Sequence, residues 1–391
     1  MVRARKRDRA ILLPAIGAQL IATTGMFIVP VLLNALEHSG LRATTAGLLF
    51  SLELVASALT TLLVPTLCPP HSFRRGALLG GSLAILGNAL TLISPALLPL
   101  TAARLMVGFG AGIVMAEATM VIARGVDRER LLAAITIAAI VNAAFWLVIL
   151  PYTVDALGYR GPYICLLVIC VASTFLLTRL PSPPLRRQAD RPVRRAPWRA
   201  TWVLVAAAIF ATQLGQGAFW GLEETFGAAA GLGSHGIAVM LSVATLMLLV
   251  GAIGVAWAGT RLGRFAPLLV LTGVNAVSIV AVATLAYPMA FIVANLVQSV
   301  TNLSSVIYQL GLAASLDRSG RVVAAGTALI TLGNGIGPSL STSLHAAFGM
   351  SSVAGLLILL YGFAIALYGL VRLRITRGEE TVVSVTAGIN S

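Results

Sequence analysis

Twelve apolar runs alternate with short polar interruptions along the chain. They cover roughly residues 11–36, 43–66, 76–95, 97–123, 131–154, 162–180, 201–226, 235–258, 267–285, 288–314, 322–346 and 349–372. About 20 apolar residues cross a hydrocarbon core as a helix, so each run predicts one transmembrane span. The interruptions carry turn chemistry, as in Glu37-His38-Ser39-Gly40, Ser94-Pro95, Gly158-Tyr159-Arg160-Gly161-Pro162, Tyr287-Pro288 and Asp317-Arg318-Ser319-Gly320. The first run is too long for the core of a signal peptide and is read as an uncleaved helix. The pattern predicts an all-α polytopic membrane protein of 12 transmembrane helices.

Composition narrows the function classes. Of 391 residues, 58% are hydrophobic and 10% charged, with a mean hydropathy of +0.95. Soluble domains carry about 25% charged residues, so a water-soluble enzyme or a nucleic-acid-binding protein is excluded. The net charge of +14 reports topology instead. If the spans alternate in direction, 24 of the 27 Lys and Arg fall on one side of the bilayer, Arg42 and Arg160 fall on the other, and Arg104 lies within a span. The positive-inside rule then places both termini in the cytoplasm. The three cysteines (Cys68, Cys165, Cys170) are too few for a disulfide framework and read as small membrane residues. One lysine against 26 arginines points to a GC-rich bacterial source, and hence to a multi-pass protein of the bacterial cytoplasmic (inner) membrane.

The only long hydrophilic stretch, 181–200, is rich in proline and arginine and divides the chain. It predicts a six-helix half over 1–180, a basic cytoplasmic loop over 181–200, a second half over 201–374 and a cytoplasmic tail over 375–391. Asp127-Arg-Glu-Arg-Leu-Leu-Ala-Ala134 before span 5 is echoed by Asp317-Arg-Ser-Gly-Arg-Val-Val-Ala-Ala325 before span 11. Parallel six-span repeats of this kind recur among transporters.

Span 4 contains Arg104-Leu-Met-Val-Gly108-Phe-Gly110-Ala-Gly112, and the loop after span 8 reads Thr260-Arg261-Leu262-Gly263-Arg264. The first matches the R-x-x-x-G-x-G-x-G pattern of the major facilitator superfamily, and the second resembles its D-R-x-G-R loop with Thr260 in place of the acid. The chain therefore resembles that superfamily over nearly its whole length. The equivalent loop after span 2, Pro70-His71-Ser72-Phe73-Arg74-Arg75, keeps only the arginine pair. The Gly-Pro signature that many drug/proton antiporters of the superfamily carry in helix 5 is missing from Asn142–Tyr152. Gly333-Asn334-Gly335-Ile336-Gly337-Pro338 lies instead in span 11. The resemblance implies two halves that rock about a central cavity lined by helices 1, 4, 7 and 10. It makes Gly108, Gly110, Gly112, Arg261, Gly263, Arg264, Gly337 and Pro338 candidates for conformational roles.

A charged side chain in mid-membrane costs about 2.5–3.5 kcal/mol on insertion scales, so each one needs a reason. Glu53 in span 2 and Arg104 in span 4 sit at depths where they can pair. Two readings stand side by side: a structural brace between the spans, or a protonatable pair that couples to a proton gradient. Glu117, deeper in span 4, is either solvated from a vestibule or a second proton site. Gln213, Gln216, Trp220 and Glu223 fall on one face of span 7. Asn295, Gln298, Asn302, Ser305 and Gln309 fall on one face of span 10. Amides so spaced face the bundle or a wet cavity, since lipid offers them no partners. Gln19 and Thr23 of span 1 and Trp146 of span 5 complete the candidate substrate contacts, with a lipid-facing position equally open for Trp146.

Rival classes lack their chemistry. Ser339 and His345 are wrongly spaced for a protease pair, the loop acids Asp127, Glu129 and Asp317 sit beside arginines, and no G-x-x-x-x-G-K-[ST] loop exists to power the protein with ATP. The sequence thus predicts a monomeric, non-enzymatic secondary active transporter that needs no cofactor or metal and binds no nucleic acid. Its partners are the bilayer, a small organic solute (neutral, zwitterionic or cationic) and H+. Uptake and efflux both remain open, with a membrane-embedded sensor of the same fold as the non-transporting alternative.

Overall fold

The computed structural model describes residues 2–67, 73–93, 96–122, 128–180, 200–259, 261, 263–316 and 321–377, and these residues are helical apart from short turns. The helices of the first half are α1 (Val2–Phe27), α2 (Val29–His38), α3 (Ala43–Leu67), α4 (Phe73–Ile93), α5 (Leu97–Ile122), α6 (Arg128–Leu157) and α7 (Arg160–Leu177). Those of the second are α8 (Ala200–Trp220), α9 (Glu223–Ala229), α10 (Ser234–Ala258), α11 (Phe265–Thr284), α12 (Pro288–Leu316), α13 (Arg321–Phe348) and α14 (Met350–Thr376). Ten of the described helices are long and apolar enough to cross a membrane alone, and Ile11–Phe27 of α1 with α2 is so only as a pair, bent by 58° at the break. α13 is long enough as well, but Thr327, Thr331, Asn334, Ser339, Ser341 and Thr342 dilute its apolar run. Cys68, Arg124, Asp127, Thr260, Leu262, the Asp317–Gly320 echo, the basic segment 181–199 and the tail beyond Arg377 lie outside the described residues.

Two of the twelve runs break where one helix was expected. In the first, Ile28 leaves helical geometry (φ −109°, ψ 14°) and Pro30 sits in the first turn of α2. Proline has no N–H, so the carbonyl of Met26 loses its backbone donor. In the seventh, Leu222 adopts nearly the same conformation (φ −118°, ψ 10°) between α8 and α9. The two breaks occupy equivalent places in the halves and meet: the Trp220 indole Nε1–H donates to the Met26 carbonyl at 3.2 Å.

The cores show how the halves are joined. At the end that carries the α2–α3 turn, Arg42 and Arg160, a single apolar cluster runs through both halves. It includes Leu32, Phe50, Leu147 and Tyr163 from one half and Phe219, Leu241, Phe291 and Tyr361 from the other. At the opposite, arginine-rich end the core divides. Ile11, Phe73, Val114 and Leu177 pack within the first half, and Trp202, Leu268, Leu312 and Tyr368 pack within the second. The protein is closed at its arginine-poor end and split at the other.

Close backbone approach makes that closure possible. Ser339 N–H donates to Ser51 Oγ at 3.1 Å and Ser242 Oγ–H to the Ala144 carbonyl at 2.7 Å, both across the halves. Gly47 of α3 lies directly against Thr342 and Pro338 of α13, and a Cβ there would stand 3.1 Å from the Pro338 carbonyl and closer still to the Thr342 hydroxyl. The glycines of α13 serve two neighbours: Gly333 and Gly337 abut α8, while Gly335 abuts Leu54 of α3. Small residues at such crossings let helices approach where lipid supplies no hydrophobic drive.

A Gly47→Leu substitution is expected to wedge the arginine-poor end apart. Spin labels at Ser39 and Ser351, which flank this end in opposite halves, should show a longer distance than in the parent protein. An unchanged distance would mean that the α3–α13 contact does not hold the closure.

Candidate functional site

Arg104 is wholly buried on α5, and its guanidinium is the hub of the first half. It donates to Glu53 Oε2 of α3 at 3.2 Å, to Asn88 Oδ1 at 3.2 Å and Thr91 Oγ1 at 2.5 Å on α4, and it lies over the Tyr163 ring of α7, 4.9 Å from its centroid. Three other helices converge on this one cation, which compensates the Glu53 charge inside the bundle, while Arg104 Nε and the Tyr163 hydroxyl stay buried without a hydrogen bond. Asn88, Thr91 and Tyr163 escaped the sequence reading because Asn88 and Thr91 make only one i, i+3 pair on α4 and Tyr163 lies outside any polar stripe. The signature glycines serve the same assembly: Gly108 and Gly112 let α5 approach the α3 backbone at Glu53 and Ser57, and Gly110 lets it approach Gly80 and Ala84 of α4. Glu117 packs half-buried against Gly76 of α4, away from this network.

Between the halves lies a small cavity of about 80 Å³. Met26, Phe27 and Val29 at the α1–α2 break form one wall, with Leu54 of α3 beside them. Gln216, Gly217 and Trp220 of α8, Thr245 and Leu248 of α10, Gln298, Ser299 and Asn302 of α12, and Asn334 and Pro338 of α13 form the rest. No charged side chain is among these lining residues. The amides are pre-set by each other: Gln298 Nε2–H donates to Gln216 Oε1 at 2.7 Å, and Asn334 Nδ2–H to Gln213 Oε1 at 2.9 Å. Asn302 adds a half-buried amide to the lining. Such a surface offers donors and acceptors with an aromatic and thioether wall, and it can hold a solute without ion pairing.

Four of the sequence-derived substrate candidates, Gln216, Trp220, Gln298 and Asn302, line this cavity. The other six do not. Gln213 is buried behind it on Asn334. Thr23 bonds back to the Gln19 carbonyl at 2.8 Å on α1. Trp146 donates to Asn142 Oδ1 at 3.1 Å, and Asn142 in turn donates to Thr24 Oγ1 at 3.0 Å, so the indole is tied within its own half. Asn295 and Glu223 are both wholly buried away from the cavity. Glu223 leaves the Gln213–Gln216–Trp220 face because the break at Leu222 ends α8 before it. The runs that line this cavity are 1, 2, 7, 8, 10 and 11; an adjoining pocket that shares Met26 and Leu54 with it takes in Glu53 of α3 and Val107 and Ala111 of α5. Thr245, Ser299 and Asn334 are lining residues that sequence reasoning missed. Around the loop after α10, Gly263 adopts φ +71° and Arg264 precedes the first turn of α11. Neither it nor Arg261 reaches the cavity lining.

Residues 15–293 match the Major Facilitator Superfamily. The chain belongs to that superfamily. Among solved structures, the fold is similar to the nucleoside transporter NupG, with TM-score 0.68 and 11% identity over 93% of this chain and 99% of that one. It is equally similar to a POT family transporter crystallised with a thioalcohol-conjugated peptide (TM-score 0.70, 13% identity, 94% and 96% covered). The human organic anion transporter MFSD10 (TETRAN) is similar too, at TM-score 0.68 and 14% identity over 93% and 99%. No curated protein matches by sequence. At these identities the structures share the fold alone. This facilitator-superfamily protein is a multi-pass membrane transporter.

Breaking the Arg104 hub has a testable signature. Arg104→Met leaves Glu53 buried without its cation and is expected to destabilise the protein by about 3–5 kcal/mol. Adding Glu53→Gln should recover most of that loss, because the uncompensated charge disappears. Thermal unfolding of the detergent-solubilised variants reads both effects, and an additive double variant would contradict the pairing.

Proposed function

We propose that the protein is a secondary active transporter that moves a small uncharged organic solute by alternating access, coupled to protons. The observation that carries this reading is the cavity between the halves, walled by amides, hydroxyls, an indole and apolar side chains, with no charged group among its lining residues. A multiply charged anion would find no cation there, and an organic cation no carboxylate, so the broader expectation narrows to an uncharged solute. Gln298 and Asn302 fix its polar groups, Trp220 and Met26 cover its apolar face, and the rocking of the two halves carries it across.

The split core supports the motion. The halves share their packing only at the arginine-poor end, so separating them there while joining them at the other end exposes the same cavity to the opposite side. With the arginine-rich end in the cytoplasm, the conformation described here is open to the inside. The setting is a bacterial cytoplasmic membrane, with both termini inside and a monomer as the working unit.

Binding tests the reading directly. The purified protein should be stabilised against heat by members of an uncharged panel of nucleosides, sugars and neutral amides. Dicarboxylates and quaternary amines should have no effect. Gln298→Ala and Asn302→Ala should each weaken the response to the best compound about tenfold or more, as expected for a lost hydrogen bond that leaves a partner unpaired. Stabilisation by charged solutes alone would overturn the substrate class. Cells overproducing the protein should then drain that compound from the medium for uptake, or enrich the medium in it for export.

A further inference from the structure

Glu53 has its arginine, whereas the other deeply buried carboxylate has no partner. Glu223 opens α9 just after the break in the seventh run, is 0% exposed, and neither of its oxygens meets a hydrogen-bond donor. Asn295 of α12 is likewise 0% exposed. It donates its Nδ2–H to the Phe291 carbonyl at 3.1 Å and leaves Oδ1 without a donor.

Two contacts bracket this pair at one level of facing helices. On one side Gln216 of α8 and Gln298 of α12 are hydrogen bonded at 2.7 Å. On the other, Gly227 of α9 abuts Phe291 of α12, whose ring would stand 3.0 Å from an added Cβ. Glu223 and Asn295 thus lie on neighbouring stretches of α9 and α12, and three of their acceptor oxygens have no donor. A proton on Glu223 removes its charge and turns one of its oxygens into a donor. A metal ion would need a shell of oxygen ligands, but almost no surface of either carboxylate oxygen is open to a water-sized sphere.

The surrounding charges are engaged elsewhere. Glu224, the next residue, is turned toward Asn34, Glu37 and His38 of α2, and its Oε2 is also buried without a donor. His235 at the start of α10 lies 3.3 Å from Asp155. Among the described residues, no arginine or histidine forms an ion pair with Glu223, and α12 presents Asn295 rather than a charge.

We propose that Glu223 is the proton-binding group of this transporter, protonated while the arginine-poor end is closed and free to ionise only when α9 parts from α12 and α2. Closure there buries the carboxylate in a place that holds it only as the neutral acid, and opening wets it and releases the proton. Trp220, three residues earlier, lines the cavity and bonds to Met26 of the opposite half. The proton site and the solute site thus share one helix break. This assignment rests on the proton-coupled reading above and leaves Glu53 as a structural brace.

The test uses the full chain, freed of its three cysteines and reconstituted in lipid nanodiscs, with spin labels at Ser39 and Ser351. Acidification should shift the parent protein toward the short distance. Glu223→Gln should stay short at every pH. Infrared difference spectra should show a buried carboxylic-acid carbonyl band that Glu223→Gln abolishes and Glu223→Asp shifts. A Glu223→Gln protein that follows pH as the parent does, or a carbonyl band untouched by either Glu223 change, would overturn the proposal. If Glu223 passes these tests but proteoliposomes move no solute, the proton site stands and the transport reading fails. If proton-driven transport survives Glu223→Gln, the reading stands and the site fails.

Discussion

A polar group inside a bilayer has to find its partner within the protein, because hydrocarbon offers neither donor nor acceptor. Most of this structure follows from that constraint. Arg104 is affordable in mid-membrane only because Glu53, Asn88, Thr91 and Tyr163 converge on it from three other helices. That convergence fixes the packing of the first half. In the second half the same requirement is met by amides: Gln298 on Gln216, Asn334 on Gln213, Gln309 on Thr212, and Asn275 on the Tyr361 hydroxyl. One half is organised by a cation and the other by neutral amides, and the cavity between them takes its polar groups from the second.

The constraint also explains the two broken spans. A helix that stops inside the membrane exposes carbonyls that need donors. Pro30 deprives the Met26 carbonyl of one, and Trp220 from the opposite break supplies it. The breaks are stable together because each lies against the other half. Opening the arginine-poor end would remove the indole from Met26, and the freed carbonyl would then meet water or solute. At the arginine-rich end the apolar cores of the two halves are separate.

Much of the fold was legible in the sequence. Long apolar runs report helices directly, and the described helices lie within or around every one of the twelve runs. The first break carries a signal in Pro30, whereas the second was not legible: Leu222 has no proline near it, and Gly221 beside it packs on Pro338 of α13. That single break decided which polar residues share a face, so Glu223 left the stripe to which its spacing assigned it. Stripes on unbroken stretches, such as Gln298 and Asn302 on α12, led to the cavity. A lone polar residue such as Asn142 makes no stripe, and a short pair such as Asn88 and Thr91 is passed over; only the assembled bundle shows what they bond.

The central claim is that joining the halves at one end and parting them at the other are two sides of one motion. Spin-label distances measured at both ends of the same protein test it most directly, with one pair at Ser39 and Ser351 and a second at Leu62 of α3 and Thr327 of α13. The account predicts two populations with opposed changes, the first distance lengthening as the second shortens. A single fixed distance at both ends, or two distances that lengthen together, would contradict it.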